Sequence, residues 1–216
     1  DQFRYAIGNG CPAWDLLMND IVLFQKRAVD FIQLYVDEIR GLVLSPAEFF
    51  HNGQDDTGFL EPTLFAAVNI LIPKLFYALL FAPLTLGISL LFVLPAVVYG
   101  IATLFVSAII LHGLVRLFGG GEDFETTYRC VAYSSVAFYA WLIPLPFVNL
   151  ILFTALYCAL LYIALRETHG LPPQHLALLL LLPAFLMLLS GAVLTVVTLW
   201  IVSRGLYLVL SFLVPG

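Results

Sequence analysis

The most constraining feature of this sequence is how few charges follow Pro62. Only nine side chains between Pro62 and Gly216 are charged, and the 36 residues from Cys130 to Leu165 contain none. A helix on the surface of a soluble protein must present a polar face to water, so it cannot stay apolar for so long. A lipid bilayer explains the pattern, because roughly 20 apolar residues span about 30 Å of hydrocarbon. The sequence therefore predicts an all-α, polytopic membrane helical bundle.

Charge also divides the chain into two parts. Residues 1–61 hold ten of the fourteen acids and four of the nine basic residues. We therefore predict a water-facing N-terminal segment over residues 1–61 and a transmembrane domain over residues 62–216. The net charge of −5 does not favour nucleic acid, whose partners carry basic patches.

Proline, glycine and charged residues divide the apolar region into five predicted membrane spans. The remaining apolar stretch, residues 206–214, would be roughly 14 Å of helix, which is too short to cross a bilayer. Four or six spans stay open as alternatives. The predicted spans cover about residues 62–81, 84–118 with a bend near Pro95, 124–143, 147–166 and 174–202.

The basic residues predict the orientation of these spans. Arg116, Arg129 and Arg166 flank two connections that five alternating spans place on one side, whereas the connections near Pro83 and Leu145 are uncharged. Basic loops stay in the cytoplasm. We therefore predict a cytoplasmic N-terminus and an external C-terminus.

A tight antiparallel hairpin is expected between the third and fourth spans, because Pro144 and Pro146 leave only a short connection. Small side chains let helices approach closely in membranes. The small residues on these two spans are Ala137, Ala140, Ala155 and Ala159.

Residues 13–44 are predicted to form one amphipathic helix. Apolar residues recur there at spacings of three or four, which is typical of one helix face. This face could rest on the rest of the protein or on the membrane, pair with a second copy, or bind a soluble partner. For the last of these, the candidate contact residues are Phe24, Phe31 and Tyr35.

Lys74 is the one charged residue inside the first predicted span, directly after Pro73. A charge at membrane depth is a candidate functional residue. Lys74 is therefore a candidate for contact with an ion or a lipid, and the basis of an alternative function as a small transporter or channel subunit. The other interpretation is a lysine that reaches toward the interface or bonds a neighbouring helix.

The connections on the predicted cytoplasmic side collect charged and imidazole side chains. They can form a polar cap that ends the helices or a surface for a partner, and Glu125 and Arg129 have the spacing of an intrahelical ion pair. No two of them show the spacing of metal ligands, and no catalytic motif is present. We therefore predict a protein that is not an enzyme, with no cofactor and no metal. The residues are His112, Arg116, Glu122, Asp123, Glu125, Arg129, Arg166, Glu167, His169 and His175.

The sequence from Leu111 to Asn149 resembles the Yip family, the Ypt/Rab-interacting membrane proteins, and in particular its bacterial branch. Further matches lie in the segment ALRETHGLP and in the segment SPAEFF before the first span. The residues that support the resemblance are Pro46, Phe50, His112, Arg116, Gly119, Gly120, Thr127, Arg129, Tyr133, Ser134, Arg166, Glu167, His169 and Gly170.

The resemblance implies five spans, a cytoplasmic N-terminus and, for the bacterial branch, residence in the inner membrane. In eukaryotes the family is associated with vesicle trafficking and with prenylated small GTPases. We therefore expect a non-enzymatic scaffold or adaptor that contacts membrane lipids and protein partners, alone or as an oligomer or part of a larger membrane complex. The candidate partner-binding residues outside the N-terminal helix are Arg116, Arg129, Glu167 and His169.

Overall fold

The chain is helical throughout its described part. A computed structural model describes residues 12–52, 58–181, 184, 185, 188, 189, 193, 196, 200, 203 and 204, and none of these residues lies in a strand. The helices are α1 (Pro12–Leu44), α2 (Pro46–Asn52), α3 (Leu60–Phe81), α4 (Ile88–Leu91), α5 (Val93–Leu117), α6 (Phe124–Tyr133), a 3₁₀ helix (Ser134–Leu142) and α7 (Pro146–His169). Residues 173–181 are also helical.

The chain forms two compact units, residues 1–44 and residues 45–216. In the first unit, the predicted N-terminal helix is present as α1, which is 33 residues long. Its amphipathic character stays a prediction. Exposed apolar side chains such as Val22, Leu34 and Val36 lie outside the predicted apolar face, which carries Phe24, Phe31 and Tyr35. The division between water-facing and lipid-facing sequence at residues 61 and 62 also stays a prediction.

Three helical stretches of the described chain are long and apolar enough to cross a membrane. They are Leu60–Phe81, Ile88–Leu117 and Phe147–His169. Turns over residues 82–87 separate the first two, as predicted. The second stretch is interrupted by a turn at Phe92, between α4 and α5, three residues before Pro95, near which the bend was predicted. The predicted total of five spans is not confirmed, and most of the predicted fifth span falls outside the described residues.

The centre of the second unit is the segment Phe124–Leu142, formed by α6 and the 3₁₀ helix and called the central segment below. It contacts α3, α5 and α7. Nine of its residues are buried, whereas α5 buries one stripe of five residues and exposes its other apolar faces. The most apolar helices therefore surround a segment that is richer in small and polar residues.

A side-chain hydrogen bond coincides with the change from α-helix to 3₁₀ helix in the central segment. The hydroxyl of Ser134 donates to the carbonyl of Cys130, with 2.7 Å between the oxygens. A serine bonded four residues back competes with the helix backbone and bends helices. The 3₁₀ helix begins at Ser134. It is longer than the three or four residues usual for this conformation.

The predicted hairpin packs with a different set of side chains. The 3₁₀ helix and α7 are in contact, and Ala137 and Ala140 are buried as expected. Ala155 and Ala159 are exposed, so their expected place in the contact is wrong. The ring of Phe153 lies there instead, with its centroid 5.0 Å from that of Phe138.

The glycines after α5 end that helix in a defined way. Gly119 has a φ of 89°, a left-handed conformation in which glycine avoids the strain of a side chain. Its N–H donates to the carbonyl of Arg116, and the N–H of Gly120 donates to that of Val115 at 2.9 Å. This pair of bonds is the Schellman motif, which satisfies the last carbonyls of a helix.

Gly120 is required for a second reason, and this gives a testable prediction. A Cβ at position 120 would lie 2.3 Å from Cγ1 of Val115 and 3.1 Å from its carbonyl oxygen. Val115 is fully buried, and a β-branched side chain has one favoured rotamer in a helix. Gly120→Ala should therefore lower the free energy of unfolding by about 1–3 kcal/mol, measured by thermal unfolding in detergent.

The matched control for this substitution is Gly121→Ala. A Cβ at position 121 meets nothing within 4 Å, so the control should unfold at the temperature of the parent protein. Equal unfolding temperatures for the two variants would contradict the described end of α5.

Candidate functional site

Three helix ends meet around one buried threonine. The hydroxyl oxygen of Thr127 in α6 lies 2.9 Å from Nδ1 of His112 in α5. The same oxygen lies 3.2 Å from Nε2 of His169, the last residue of α7. Thr127 is fully buried, and both histidines are half-buried. These three residues are called the polar junction below.

The contacts of the polar junction favour one placement of hydrogens on the histidine nitrogens. A threonine hydroxyl has one hydrogen to donate and two lone pairs that accept, so it can bond both histidines at once. Nδ1 of His169 is buried and has no hydrogen-bond partner. An unpartnered acceptor is better tolerated than an unpartnered N–H. The favoured arrangement therefore has Nε2–H of His169 donating to Thr127, and Thr127 donating to Nδ1 of His112.

A second contact joins α6 and α7 beside the polar junction. The sulfur of Cys130 lies 3.4 Å from the hydroxyl oxygen of Thr168. Thr168 donates its own hydrogen to the carbonyl of Ala164 at 2.8 Å, so the thiol of Cys130 is the donor to Thr168. Cys130 is thus held in a packed and hydrogen-bonded position.

The central segment is also bonded to the beginning of α3. Glu125 accepts a hydrogen bond from the backbone N–H of Gly58, and the hydroxyl oxygens of Tyr128 and Thr63 are 2.7 Å apart. The ring of Tyr128 stacks on Phe105 of α5 with 4.1 Å between centroids. Hydrogen bonds from the central segment therefore reach α5, α7 and the start of α3 at one end of the bundle.

The charged residues of this end lie outside the polar junction. Arg116, Glu122, Asp123 and Arg166 are exposed, whereas Arg129 and Glu167 are partly exposed. The predicted ion pair between Glu125 and Arg129 is absent among the described contacts, because Glu125 bonds Gly58 instead. Of the predicted partner-binding residues, His169 belongs to the polar junction, and Arg116 lies one helical turn after His112 in α5.

The other predicted contact residues lie on α1, in the first unit. The rings of Phe31 and Tyr35 are stacked, with centroids 6.5 Å apart and 18° between their planes. Phe31 is exposed and Tyr35 is partly exposed. Phe24 is also on α1, and its side chain is outside the described part of the structure.

Lys74 lies far from the polar junction along α3. It is exposed and lines a pocket of about 290 Å³ between α3, α4 and α5. The other lining residues are Tyr77, Ala78, Phe81, Ser89, Phe92, Val93 and Ala96. Within the described residues there is no group of three histidines, cysteines or carboxylates that could hold a metal ion.

The sequence predicted His112 and His169 as candidate site residues but not their contact with Thr127, which bonds both of them. Thr127 bonds His169 across 42 positions, and no local pattern shows such a partner. A weaker signal is present, because Thr127, Cys130 and Ser134 recur at spacings of three and four. Small polar residues at this spacing mark one face of a helix, here a face that packs inside the bundle.

The polar junction yields a prediction about stability. Thr127→Val keeps the shape of the side chain but removes the hydroxyl, which leaves nitrogens of His112 and His169 without a partner. An unsatisfied buried polar group costs about 1–3 kcal/mol, so unfolding in detergent should occur at a lower temperature. Thr127→Ser retains the hydroxyl and should recover most of the loss.

The control is Thr126→Val, one residue earlier and partly exposed. It should leave the unfolding temperature unchanged. If Thr127→Val and Thr126→Val behave alike, the hydrogen bonds of Thr127 do not hold the three helix ends together.

The Yip1 domain model matches residues 40–195 of the chain. No curated protein and no solved structure gives a match. The match begins in the last turns of α1 and includes α2 to α7, and with them every residue of the polar junction. Together with the three membrane-length apolar helices, it identifies an integral membrane protein, and the chain belongs to the Yip1 domain family.

Proposed function

We propose that this protein is a non-enzymatic membrane scaffold of the Yip type, which holds protein partners, lipids or both at its cytoplasmic face. The proposal combines a rigid bundle in the membrane with a charged end and the long helix α1. It includes five membrane spans and a cytoplasmic N-terminus. For a chain that resembles the bacterial branch, the membrane is the inner membrane.

The observation that carries this proposal is how the buried polar side chains are used. Asn69 bonds Ser135, Thr127 bonds two histidines and Thr168 contacts Cys130, all between helices, whereas Ser134, Asn149 and Thr154 donate to nearby backbone carbonyls, and the buried Oδ1 of Asn149 has no partner. Groups that bond one another stabilise helix packing, whereas a transport pathway needs polar groups that face water or a substrate. This favours a scaffold over the alternative of a transporter or channel subunit with a site near Lys74.

A fixed charged surface supports the same proposal. The polar junction joins the ends of α5 and α7 to the start of α6. Arg116, Glu122, Asp123 and Arg166 are exposed within about a turn or two of these bonds. Side chains held on joined helix ends lose less freedom when a partner binds, and preorganisation of this kind favours binding.

The length of the central segment supports a further membrane crossing. The ten residues of α6 rise about 1.5 Å each, and the nine residues of the 3₁₀ helix rise about 2.0 Å each. Together they extend roughly 33 Å, which is enough for the roughly 30 Å of hydrocarbon. With the predicted span over residues 174–202, the total becomes five.

The positions of the arginines support a cytoplasmic N-terminus. Arg116, Arg129 and Arg166 each lie within four residues of a member of the polar junction, so they are at one end of the bundle. The hairpin at Leu145 is at the other end of the central segment, and no charge is near it. Basic residues are retained on the cytoplasmic side. Five spans then place α1 on the same side as the arginines.

The proposed partner contact on α1 is the stacked pair Phe31 and Tyr35, together with Phe24. Aromatic side chains are enriched where proteins bind each other. We expect the triple substitution of Phe24, Phe31 and Tyr35 by serine to abolish co-purification of partners from native membranes. Loss of this aromatic contact area should not change unfolding of the bundle, measured on the same samples in detergent.

The matched control replaces two polar residues of α1, Gln33→Ser and Asp37→Ser, and should retain the partners. Removal of residues 1–44 should leave a stable bundle without partners. If the shortened protein is not stable, or if the triple variant still co-purifies its partners, the proposed role of α1 is wrong. If partners still co-purify after removal of residues 1–44, the partner contact lies instead on the surface around Arg116 and Arg166.

A further inference from the structure

One row of side chains on α1 repeats every seven residues. It consists of four valines, all of them exposed: Val22, Val29, Val36 and Val43. A second row lies three positions after the first three valines: Gln25, Ile32 and Ile39. Apolar residues at alternating spacings of three and four, over several repeats of seven, are the pattern of a coiled coil. The two rows together are called the valine seam below.

The spacing of the valine seam favours a second helix over a membrane surface as its partner. In a straight α-helix, a row at intervals of seven residues drifts around the axis by about 20° per repeat. Helices that wind around each other remove this drift, whereas a flat surface does not. The charges of α1 agree, because five acids and three basic residues do not make the lysine- and arginine-rich face of a helix that binds anionic membrane surfaces.

We propose that α1 pairs with α1 of a second copy of this chain, parallel and in register, through the valine seam. The exposed valines and Ile32 would then be buried against their counterparts, and burial of apolar surface drives such association. Phe24 and Phe31 each follow a valine by two residues, which places them about 200° away around the helix axis. The pairing therefore goes beyond the proposed scaffold function and leaves its aromatic contact accessible.

The charges that flank the valine seam favour the parallel orientation. Lys26 and Arg40 each come directly after a residue of the second row. In an antiparallel pair this position faces the same position of the other helix, so lysine would approach arginine and the like charges would repel. In a parallel pair it faces the residue before a valine, here Ile21 and Tyr35. These side chains carry no charge, and the stems of Lys26 and Arg40 can cover their apolar surface.

The connection to the membrane favours the same orientation. α1 ends at Leu44 and α2 begins at Pro46, so one residue separates α1 from the unit that contains the membrane-length helices. Two copies inserted the same way in one membrane therefore have the C-terminal ends of their α1 helices on the same side. Confinement to one membrane also raises the effective concentration of α1. Gln25 supports pairing in register, because a polar seam residue is best placed opposite its counterpart.

The test is disulfide formation between single cysteines in native membranes, in a full chain without its native cysteines. Val22→Cys and Val43→Cys, near the two ends of the seam, should each give a disulfide-linked dimer on mild oxidation. A disulfide requires Cα atoms within about 7 Å. In an antiparallel pair Val22 would lie near Val43 of the second copy, roughly 30 Å from its own counterpart. The matched control is Arg27→Cys, exposed on the other side of α1, which should give on the order of tenfold less dimer because its counterpart is too distant.

A charge placed in the seam gives an independent measurement. Val36→Glu should lower the fraction of associated protein, measured by light scattering in mild detergent, by about tenfold or more, because it buries an unpaired charge between the helices. Leu34→Glu is the control, because Leu34 is an exposed apolar residue of α1 outside the seam, and it should leave association unchanged. Thermal unfolding of both variants should match that of the parent protein, since neither residue belongs to the bundle.

Three results would overturn the proposal. The first is equal dimer formation by Val22→Cys and Arg27→Cys, which would indicate random collision. The second is no dimer with Val22→Cys or Val43→Cys, which would indicate that the membrane surface or another protein covers the seam. The third is a dimer only when Val22→Cys and Val43→Cys chains are produced together, which would indicate antiparallel pairing. None of these results affects the aromatic contact of Phe24 and Phe31, which co-purification tests separately.

Discussion

Hydrocarbon offers no hydrogen bonds, so a polar side chain inside a membrane protein must find its partner within the protein. In this bundle the central segment meets that constraint. Asn69 of α3 donates to Ser135 at 3.1 Å, and Thr127 bonds both histidines at the other end of the same segment. The surrounding helices have apolar outer faces, so their relative positions depend on these few directed contacts and on the packing beside them.

This arrangement connects the fold to the proposed function. The helices that face lipid can be almost uniformly apolar, because the polar contacts are concentrated on the segment that they surround. At one end, the polar junction joins α5, α6 and α7 and presents exposed charges on fixed helix ends. At the far end of α3, Lys74 borders an apolar pocket. The two ends therefore differ in chemistry, with exposed charges at one and an apolar pocket beside Lys74 at the other.

The sequence was most informative where single residues stop a helix. Turns follow Phe81 where Pro83 and Gly87 predicted them, and α5 ends before Gly119. These boundaries follow from the local backbone preferences of proline and glycine. The change to a 3₁₀ helix at Ser134, which coincides with a side-chain bond inside a buried segment, was not predicted.

The contacts of the candidate site depend on distant parts of the chain, and the sequence alone did not pair them. Thr168 meets Cys130 across 38 positions, and Glu125 bonds Gly58 instead of the nearby Arg129. The alanines show a related limit. Small residues predicted close packing of the 3₁₀ helix on α7, but Ala155 and Ala159 lie on the exposed face of α7. In a uniformly apolar helix, the sequence does not show which face packs against the protein.

The central claim is that the central segment crosses the membrane inside the bundle, and cysteine accessibility in sealed membrane vesicles tests it most directly. Single cysteines at Gly121, Leu145 and Gly170, in a chain without its native cysteines, are treated with a maleimide that cannot cross the membrane. The account predicts that Gly121 and Gly170 are labelled from one side and Leu145 only from the other. Labelling of Gly121 and Leu145 from the same side would contradict it, because the central segment would then enter and leave through one face.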